Sequence, residues 1–241
     1  MTIENKTVLI TGANRGIGHA LVEEALTRGA KRVYAGTRQP LRHLDGRVTP
    51  LTLDVTDAAQ IRAAAESIGC LDILINNAGL GLYADLSDRA ALERHLAVNL
   101  FGSYDTTHAF LPLLTSSRGA IVNVVSLAAL AAVPLDPTYA ISKAAAFSLT
   151  QSLRMLLAGQ GVSVHAVLAG PVDTDMGPQI DLPRASPESV ARAILAAVES
   201  GDEDIFPDPI SDSIADGWRN GVSKALEQQF AALVPAEAVT S

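Results

Sequence analysis

The sequence has 241 residues, of which 48% are hydrophobic and 18% are charged. This composition excludes an intrinsically disordered chain and is typical of an α/β protein. Its 18 Lys and Arg residues against 26 Asp and Glu residues give a net charge of −8, so we expect no binding to nucleic acid or anionic membranes. The one cysteine and the five histidines have no metal-ligand spacing, so no metal site is predicted.

The first residues include an acid and only a short apolar run, which is not typical of a signal peptide. The longest uncharged stretches, 119–135 and 155–172, are interrupted by polar residues, proline or glycine. A membrane span needs about 20 mostly apolar residues, so neither stretch is predicted to cross a bilayer. We therefore expect a soluble, cytoplasmic protein.

Short β-branched segments alternate with longer helical segments along most of the chain. The predicted strands are Thr7–Thr11, Arg32–Ala35, Thr49–Leu53, Asp72–Ile75, Ala120–Val125, Ser163–Val167 and Asp204–Phe206. The predicted helices cover 16–29, 57–67, 88–111, 138–158 and 187–199, and 208–241 is predicted to form a terminal helix containing Trp218 with a frayed tail. This alternation predicts an α/β fold in a single domain, 1–241, with a doubly wound parallel sheet of about seven strands and helices on both faces.

A glycine-rich turn follows the first predicted strand and leads directly into a helix. It reads Thr-Gly-Ala-Asn-Arg-Gly-Ile-Gly over residues 11–18. Such a turn lets a pyrophosphate approach the backbone and the positive end of the helix, although it can also simply connect the two elements. It resembles the turn of the short-chain dehydrogenase/reductase family, which implies a Rossmann-like fold and a nicotinamide cofactor. The cofactor contacts predicted from this turn are Gly12, Asn14, Arg15, Gly16, Ile17 and Gly18.

Arginine side chains favour NADP(H) over NAD as the cofactor. In Rossmann sheets an acidic residue about 20 positions after the turn binds the ribose of NAD, whereas arginine accommodates the phosphate of NADP. Here Thr37 and Arg38 stand at that distance, and no acid occurs between Glu24 and Asp45. Arg15 is a second candidate for the phosphate. The alternative is that both arginines are solvated surface residues.

Three later stretches resemble cofactor-binding motifs of the same family. The resemblance implies an adenine contact after the third strand, an Asn-Asn-Ala-Gly turn after the fourth, and a nicotinamide-binding loop after the sixth. In this loop Ala169 replaces the proline that is usual in the family, and we expect the replacement to loosen the loop. The predicted contacts are Asp54, Val55, Asn77, Ala78, Gly79, Gly170, Val172 and Thr174.

A tyrosine and a lysine four residues apart, Tyr139 and Lys143, are predicted to share one face of a helix. The ammonium group, together with a nearby nicotinamide cation, would favour the phenolate and lower the pKa of the tyrosine, which suits proton transfer to or from an alkoxide. The family resemblance implies that Tyr139 and Lys143 also contact the cofactor, that Ser126 polarises a substrate carbonyl, and that Asn99 holds a water on a proton path. Taken singly, a surface pair or a serine capping a strand end would explain these residues.

The motifs together predict an NADPH-dependent carbonyl reductase, or secondary-alcohol dehydrogenase in reverse, that acts on neutral hydrophobic ketones or aldehydes. By family position the substrate pocket is predicted to contain Leu82, Tyr83, Leu127, Ala128, Val133, Leu135 and Met176, none of which is charged. A short segment with two prolines, 177–186, is predicted to cover it. The alternatives are a β-ketoacyl-thioester reductase and a non-catalytic NADP(H)-sensing regulatory protein. The apolar helix 138–158 predicts a homodimer or homotetramer.

Overall fold

The computed structural model describes residues 1–39, 41–176 and 182–233. Within them, a parallel sheet has seven strands in the order β3-β2-β1-β4-β5-β6-β7. The strands are β1 (Thr7–Thr11), β2 (Arg32–Thr37), β3 (Val48–Thr52), β4 (Ile73–Asn76), β5 (Ala120–Val124), β6 (Ser163–Val167) and β7 (Asp204–Ile205). The predicted doubly wound sheet is therefore confirmed, with strand ends that differ by one or two residues.

Helices cover both faces of this sheet. They are α1 (Gly16–Thr27), α2 (Ala58–Ser67), α3 (Arg89–Leu96), α4 (Ser103–Ser117), α5 (Pro137–Leu157), α6 (Pro187–Ser200), α7 (Pro209–Arg219) and α8 (Val222–Ala231). Alternate residues of β1 point to opposite faces: Val8 and Ile10 pack in the core with α1 and α6, whereas Leu9 packs in the core with α2 and α4. Among the described residues, no helix is both long and apolar enough to span a membrane.

Two of the predicted helices are each divided into two in the structure, whereas the other four differ from the prediction by one or two residues at their ends. The predicted helix 88–111 consists of α3 and α4, joined by a π-helical turn at Ala97–Gly102, and it continues past Pro112 to Ser117. The proline is tolerated because it lies on the exposed side, where the carbonyl of His108 can be hydrated. The predicted terminal helix is two helices, α7 and α8, which are separated at Gly221, the N-cap of α8. The predicted frayed tail, 234–241, lies outside the described residues.

The strand order places a crevice at the centre of the sheet. The chain leaves β1 on one side to form β2 and β3, and then returns to place β4 on the other side of β1. In open parallel sheets, ligands bind outside the carboxyl ends of the strands where the order reverses in this way. The glycine turn after β1 and the Asn-Asn-Ala-Gly turn after β4 both lie at this point.

Candidate active site

A cleft of about 1210 Å³ lies along the carboxyl ends of the central strands. Most small-molecule pockets have volumes of roughly 300–1,000 Å³, so this cleft has room for a dinucleotide and a second, smaller molecule. Every residue predicted to contact the cofactor lines it. These are Gly12, Asn14, Arg15, Gly16, Ile17, Gly18, Thr37, Arg38, Asp54, Val55, Asn77, Ala78, Gly79, Tyr139, Lys143, Gly170, Val172 and Thr174.

Two glycines of the turn, Gly12 and Gly18, are packed so closely that neither position has room for a side chain. A Cβ on Gly12 would lie 2.9 Å from Ala78 Cα, and one on Gly18 would lie 2.2 Å from the carbonyl oxygen of Gly12. The turn is tied to β4 by Asn77, whose Nδ2 donates to the carbonyls of Thr11 and Gly12. No side chain caps the first N–H groups of α1. The turn therefore fits a phosphate group, which these N–H groups and the helix dipole would bind.

Two arginines, Arg15 and Arg38, line the cleft near the glycine turn. Arg38 is exposed at the end of β2, and Arg15 forms an exposed ion pair with Asp175, with 3.1 Å between Nη1 and Oδ2. Asp54 accepts hydrogen bonds from Thr56, and Asp57 caps α2. Asp54 is therefore not the capping residue of α2. It lines the cleft, where the adenine contact was predicted.

Ser126, Tyr139 and Lys143 converge at one end of the cleft. Ser126 follows β5, whereas Tyr139 and Lys143 lie one turn apart on α5. Lys143 Nζ lies 5.6 Å from the centre of the Tyr139 ring and donates to the carbonyl of Val124 at 2.9 Å. Ser126 Oγ accepts a hydrogen bond from the N–H of Ala128 and donates to the carbonyl of Ala169 at 3.4 Å. All three residues line this end of the cleft.

Lys143 alone does not lower the pKa of Tyr139. Burial raises this pKa to about 12, and the nearby Ser126 hydroxyl only partly opposes the effect. Burial also lowers the pKa of Lys143 to about 8, because the ammonium group is removed from water. Tyr139 is therefore protonated in the neutral range, and a lower pKa beside a nicotinamide cation stays a prediction.

Asn99 lies on the π-helical turn, behind the lining of the cleft. Its Oδ1 accepts from the N–H of Leu80 at 2.8 Å, and its Nδ2 donates to the carbonyl of Leu80 and to Ser142 Oγ. A Cβ on Gly79 would lie 3.5 Å from Asn99 Oδ1 and 3.7 Å from Lys143 Nζ, so the two side chains approach the same glycine. Asn99 therefore holds the segment beside Lys143, and π-helical turns are frequent at functional sites.

The loop after β6 is anchored despite its missing proline. The carbonyl of Ala169 accepts from the N–H of Leu127, and the N–H of Gly170 donates to Asp208 Oδ2 at 2.7 Å. Asp208 is buried and also caps α7. This carboxylate was not identified from the sequence because it is far along the chain. The anchored backbone does not support the expectation of a loosened loop.

The substrate end of the cleft differs in part from the prediction. Of the predicted pocket residues, Tyr83, Leu127, Ala128, Val133, Leu135 and Met176 line the cleft. Leu82 is not among the lining residues, so its assignment to the pocket is wrong; its N–H donates to His95 Nε2. The cleft also contains charged residues that the sequence analysis missed, namely Asp136, Asp175 and Arg184. Of the predicted covering segment, residues 177–181 lie outside the described residues, and Leu182 lines the cleft.

Comparison with known proteins agrees with this geometry. The family model for short chain dehydrogenases matches residues 6–184. A 2-(S)-hydroxypropyl-CoM dehydrogenase of Xanthobacter autotrophicus is 35% identical, with 80% of this chain and 82% of that protein aligned. The ketoacyl reductase HetN of Nostoc is 30% identical, over 88% of this chain and 83% of that protein.

Solved structures include a short chain dehydrogenase from Burkholderia cenocepacia in complex with NADP. It is 37% identical and has a TM-score of 0.87, and the match covers 98% of this chain and 100% of that one. The matched residues contain the glycine turn, the Asn-Asn-Ala-Gly turn and the Ser126, Tyr139 and Lys143 group. The chain therefore belongs to the short-chain dehydrogenase family of nicotinamide-dependent oxidoreductases.

Proposed function

We propose that the protein is an NADP(H)-dependent carbonyl reductase, or secondary-alcohol dehydrogenase in the reverse direction. The observation that carries the proposal is the convergence of Ser126, Tyr139 and Lys143 at one end of a cleft that fits a dinucleotide. The bound cofactor would supply the hydride. The Ser126 hydroxyl would hold the substrate carbonyl oxygen, and the phenol of Tyr139 would give that oxygen its proton.

Lys143 and Asn99 are proposed to support this proton transfer. Lys143 would bind the ribose beside the nicotinamide and reprotonate Tyr139 through the path that Asn99 maintains. A tyrosine whose pKa is raised to about 12 stays protonated through the neutral range, which suits reduction. The oxidised cofactor is positively charged at its ring and would favour the phenolate needed for the reverse reaction.

Two other functions were considered for this chain. A β-ketoacyl-thioester reductase is favoured by the likeness to the Nostoc ketoacyl reductase, but a chain with a net charge of −8 would repel an acidic carrier protein. A non-catalytic NADP(H) sensor would have no need of the three converging side chains. Consumption of NADPH with a panel of ketones and aldehydes tests the proposal, and cofactor binding without any turnover would instead favour the sensor.

We expect NADPH to be preferred over NADH because Arg38 lines the cleft and the sequence has no acid between Glu24 and Asp45, where an NAD-binding acid would stand. Arg38→Asp should reverse the preference, since the carboxylate would repel the 2′-phosphate and accept hydrogen bonds from a free ribose. The measurement is kcat/KM for each cofactor in both proteins. Equal efficiency of the native enzyme with the two cofactors would contradict a phosphate site at Arg38.

Neutral hydrophobic ketones are expected to be better substrates than keto acids or acyl thioesters. Apolar side chains dominate the substrate end, and the guanidinium of Arg184 lies 4.0 Å from the carboxylate of Asp173, which offsets its charge. The carboxylate of Asp136 would further disfavour an anionic substrate, whereas that of Asp175 is offset by its ion pair with Arg15. The measurement is kcat/KM for an aryl ketone, a 2-keto acid and an acetoacetyl thioester under one set of conditions. Preference for the keto acid or the thioester would refute this assignment.

We also propose that the chain forms a homodimer or homotetramer through α4 and α5. Large apolar side chains are exposed on these helices and on the π-helical turn, including Phe101, Tyr104, Ile141 and Leu156. Burial of such groups is the usual driving force of association. Light scattering at micromolar concentration should give the mass of a dimer or tetramer, and a monomer would contradict the proposal.

A further inference from the structure

The segment Leu80–Ala84 forms one wall of the substrate end, and buried side chains hold its backbone. The segment has no helix or strand of its own, so its polar backbone groups need other partners. Leu82 N–H donates to His95 Nε2 at 3.1 Å, and Tyr83 N–H donates to Asp136 Oδ2 at 2.9 Å. The carbonyl of Ala84 accepts from Thr138 Oγ1 at 3.3 Å. Three successive residues are thus bonded to three side chains from α3 and the start of α5.

These three side chains, which we call the clamp (His95, Asp136 and Thr138), also bind one another. All are buried, with exposed fractions of 0%, 4% and 1%. His95 Nδ1 lies 3.0 Å from Thr138 Oγ1, which lies 3.1 Å from Asp136 Oδ1. Because the backbone N–H of Leu82 can only donate, His95 Nε2 must accept and Nδ1 must carry the proton. The clamp is therefore assembled around a neutral histidine with one defined tautomer.

Tyr83 is the residue that the clamp holds most tightly. Its φ is 53°, in the left-handed region that residues other than glycine rarely adopt. Such a conformation persists only where surrounding contacts impose it, and such sites cluster at functional positions. The Tyr83 hydroxyl donates to the carbonyl of Met176 at 2.8 Å. The tyrosine is thus fixed at its backbone by Asp136 and at its tip by the loop beyond β6.

The clamp is also in contact with the proposed proton donor. Asp136 Oδ1 accepts from the N–H of Tyr139 and caps α5, and the rings of His95 and Tyr139 pack edge to face with 5.9 Å between their centres. A helix cap requires only one carboxylate oxygen. The second oxygen of Asp136 goes to Tyr83, which a purely structural cap would not need.

We propose that His95, Asp136 and Thr138 are positioning residues that fix Tyr83 as a rigid wall of the substrate pocket and thereby set the size of the ketone that is reduced. This inference rests on the proposed reductase function. It assigns substrate selection to a group that lies mostly behind the cleft.

The Asp136→Ser variant separates the two roles of the carboxylate, which caps α5 through one oxygen and binds the N–H of Tyr83 through the other. Serine is a good N-cap, so the cap on α5 is kept, but Tyr83 N–H loses its acceptor. We expect KM for an aryl ketone to rise about tenfold, the size of effect that loss of a buried hydrogen bond produces. KM for a small aliphatic ketone and the dissociation constant of NADPH, measured by fluorescence, should change less than about twofold. Tyr83→Ala should give the same change in selectivity.

Hydrogen–deuterium exchange provides a readout that does not depend on activity. In Asp136→Ser, peptides covering residues 79–85 should exchange faster, whereas peptides from the middle of α5 should not change. Asp88→Ser is the matched control, because Asp88 caps α3 through the N–H of Ala91 and is not among the residues that line the cleft. This control should leave both the exchange at 79–85 and the ratio of kcat/KM for the two ketones unchanged.

The histidine predicts a specific pH dependence. Burial lowers the pKa of His95, Asp136 at 3.9 Å opposes this, and Arg94 and Lys143 add to it. His95 therefore stays neutral until the pH falls below about 6.5, the ordinary pKa of histidine. Protonation of Nε2 at lower pH would remove the acceptor for the N–H of Leu82. KM for the aryl ketone should rise as the pH falls through that range. In His95→Gln, whose amide oxygen can accept from Leu82 but cannot titrate, this rise should be absent.

A fall in thermal stability of Asp136→Ser with unchanged exchange at 79–85 and unchanged selectivity would overturn the inference and leave only a structural cap. Identical pH profiles for the native enzyme and His95→Gln would overturn the part assigned to His95. If the native enzyme reduces no ketone at all, the proposed function fails, whereas the exchange experiment still decides whether the clamp fixes Tyr83.

Discussion

Replacement of Tyr139 by phenylalanine is expected to lower kcat for ketone reduction by about 10²- to 10⁴-fold, the usual contribution of a general acid. The substitution keeps the ring, its edge contact with His95 and its place beside Lys143, but removes the hydroxyl and its proton. Steady-state kinetics with NADPH and an aryl ketone would measure the loss. NADPH should still bind, which a fluorescence titration would verify.

Tyr34→Phe is the matched control for this experiment. Tyr34 lies on β2, packs partly buried against the core and is not among the residues that line the cleft. Its loss of a hydroxyl should change kcat less than about twofold, because the ring and its packing are kept. If Tyr139→Phe keeps its activity to within a few-fold, Tyr139 is not the proton donor and the proposed mechanism is wrong.

Gly18→Ala is expected to disrupt the turn that we propose binds the cofactor phosphates. The added Cβ would lie 2.2 Å from the backbone oxygen of Gly12 and 2.5 Å from Asn77 Nδ2. Backbone on one side and an anchored amide on the other leave no way to relieve the overlap without moving the turn. Overpacking of this kind costs about 1–3 kcal/mol of unfolding free energy. We expect NADPH affinity to fall at least about tenfold, together with a lower Tm.

Gly217→Ala tests whether the effect belongs to the turn. Gly217 lies in α7, and a Cβ there would meet nothing within 4 Å. Since alanine favours helix over glycine by about 1 kcal/mol, this variant should be as stable as the native protein or more stable, with unchanged NADPH affinity. Native-like cofactor affinity in Gly18→Ala would show that the turn does not bind the cofactor.

Local patterns in the sequence predict the sheet and the cofactor end of the cleft well. The central strands β1 and β4 are buried on both faces, so their apolar runs stand out, and the turns that follow them carry their own short motifs. The division of the predicted helix 88–111 into α3 and α4 was not predictable from such local patterns. The π-helical turn leaves no composition signal, because Ala97–Gly102 contains ordinary helix residues apart from its final glycine.

The substrate end depends on contacts between residues far apart in the chain, and these were not predictable. Asp136 was not noticed because an aspartate before a helix is explained by its cap alone. Its bond to Tyr83 joins residues 53 positions apart. Likewise, Asp208 reaches Gly170 over 38 positions. Leu82 was assigned to the pocket by family position, but it is not among the residues that line the cleft, and its N–H is bonded to His95, 13 positions along the chain.

The strand order determines how this chain can fold while it is being synthesised. Each strand pairs with one that precedes it in the sequence, so every new strand finds a partner that has already left the ribosome. The apolar surface of α1 is completed later, because α1 packs against α6 at residues 187–200 as well as against β1 and β2. At about 5–20 residues per second, the part that α6 covers stays exposed for on the order of ten seconds. We therefore expect the nascent chain to expose this part of α1 until α6 has been synthesised.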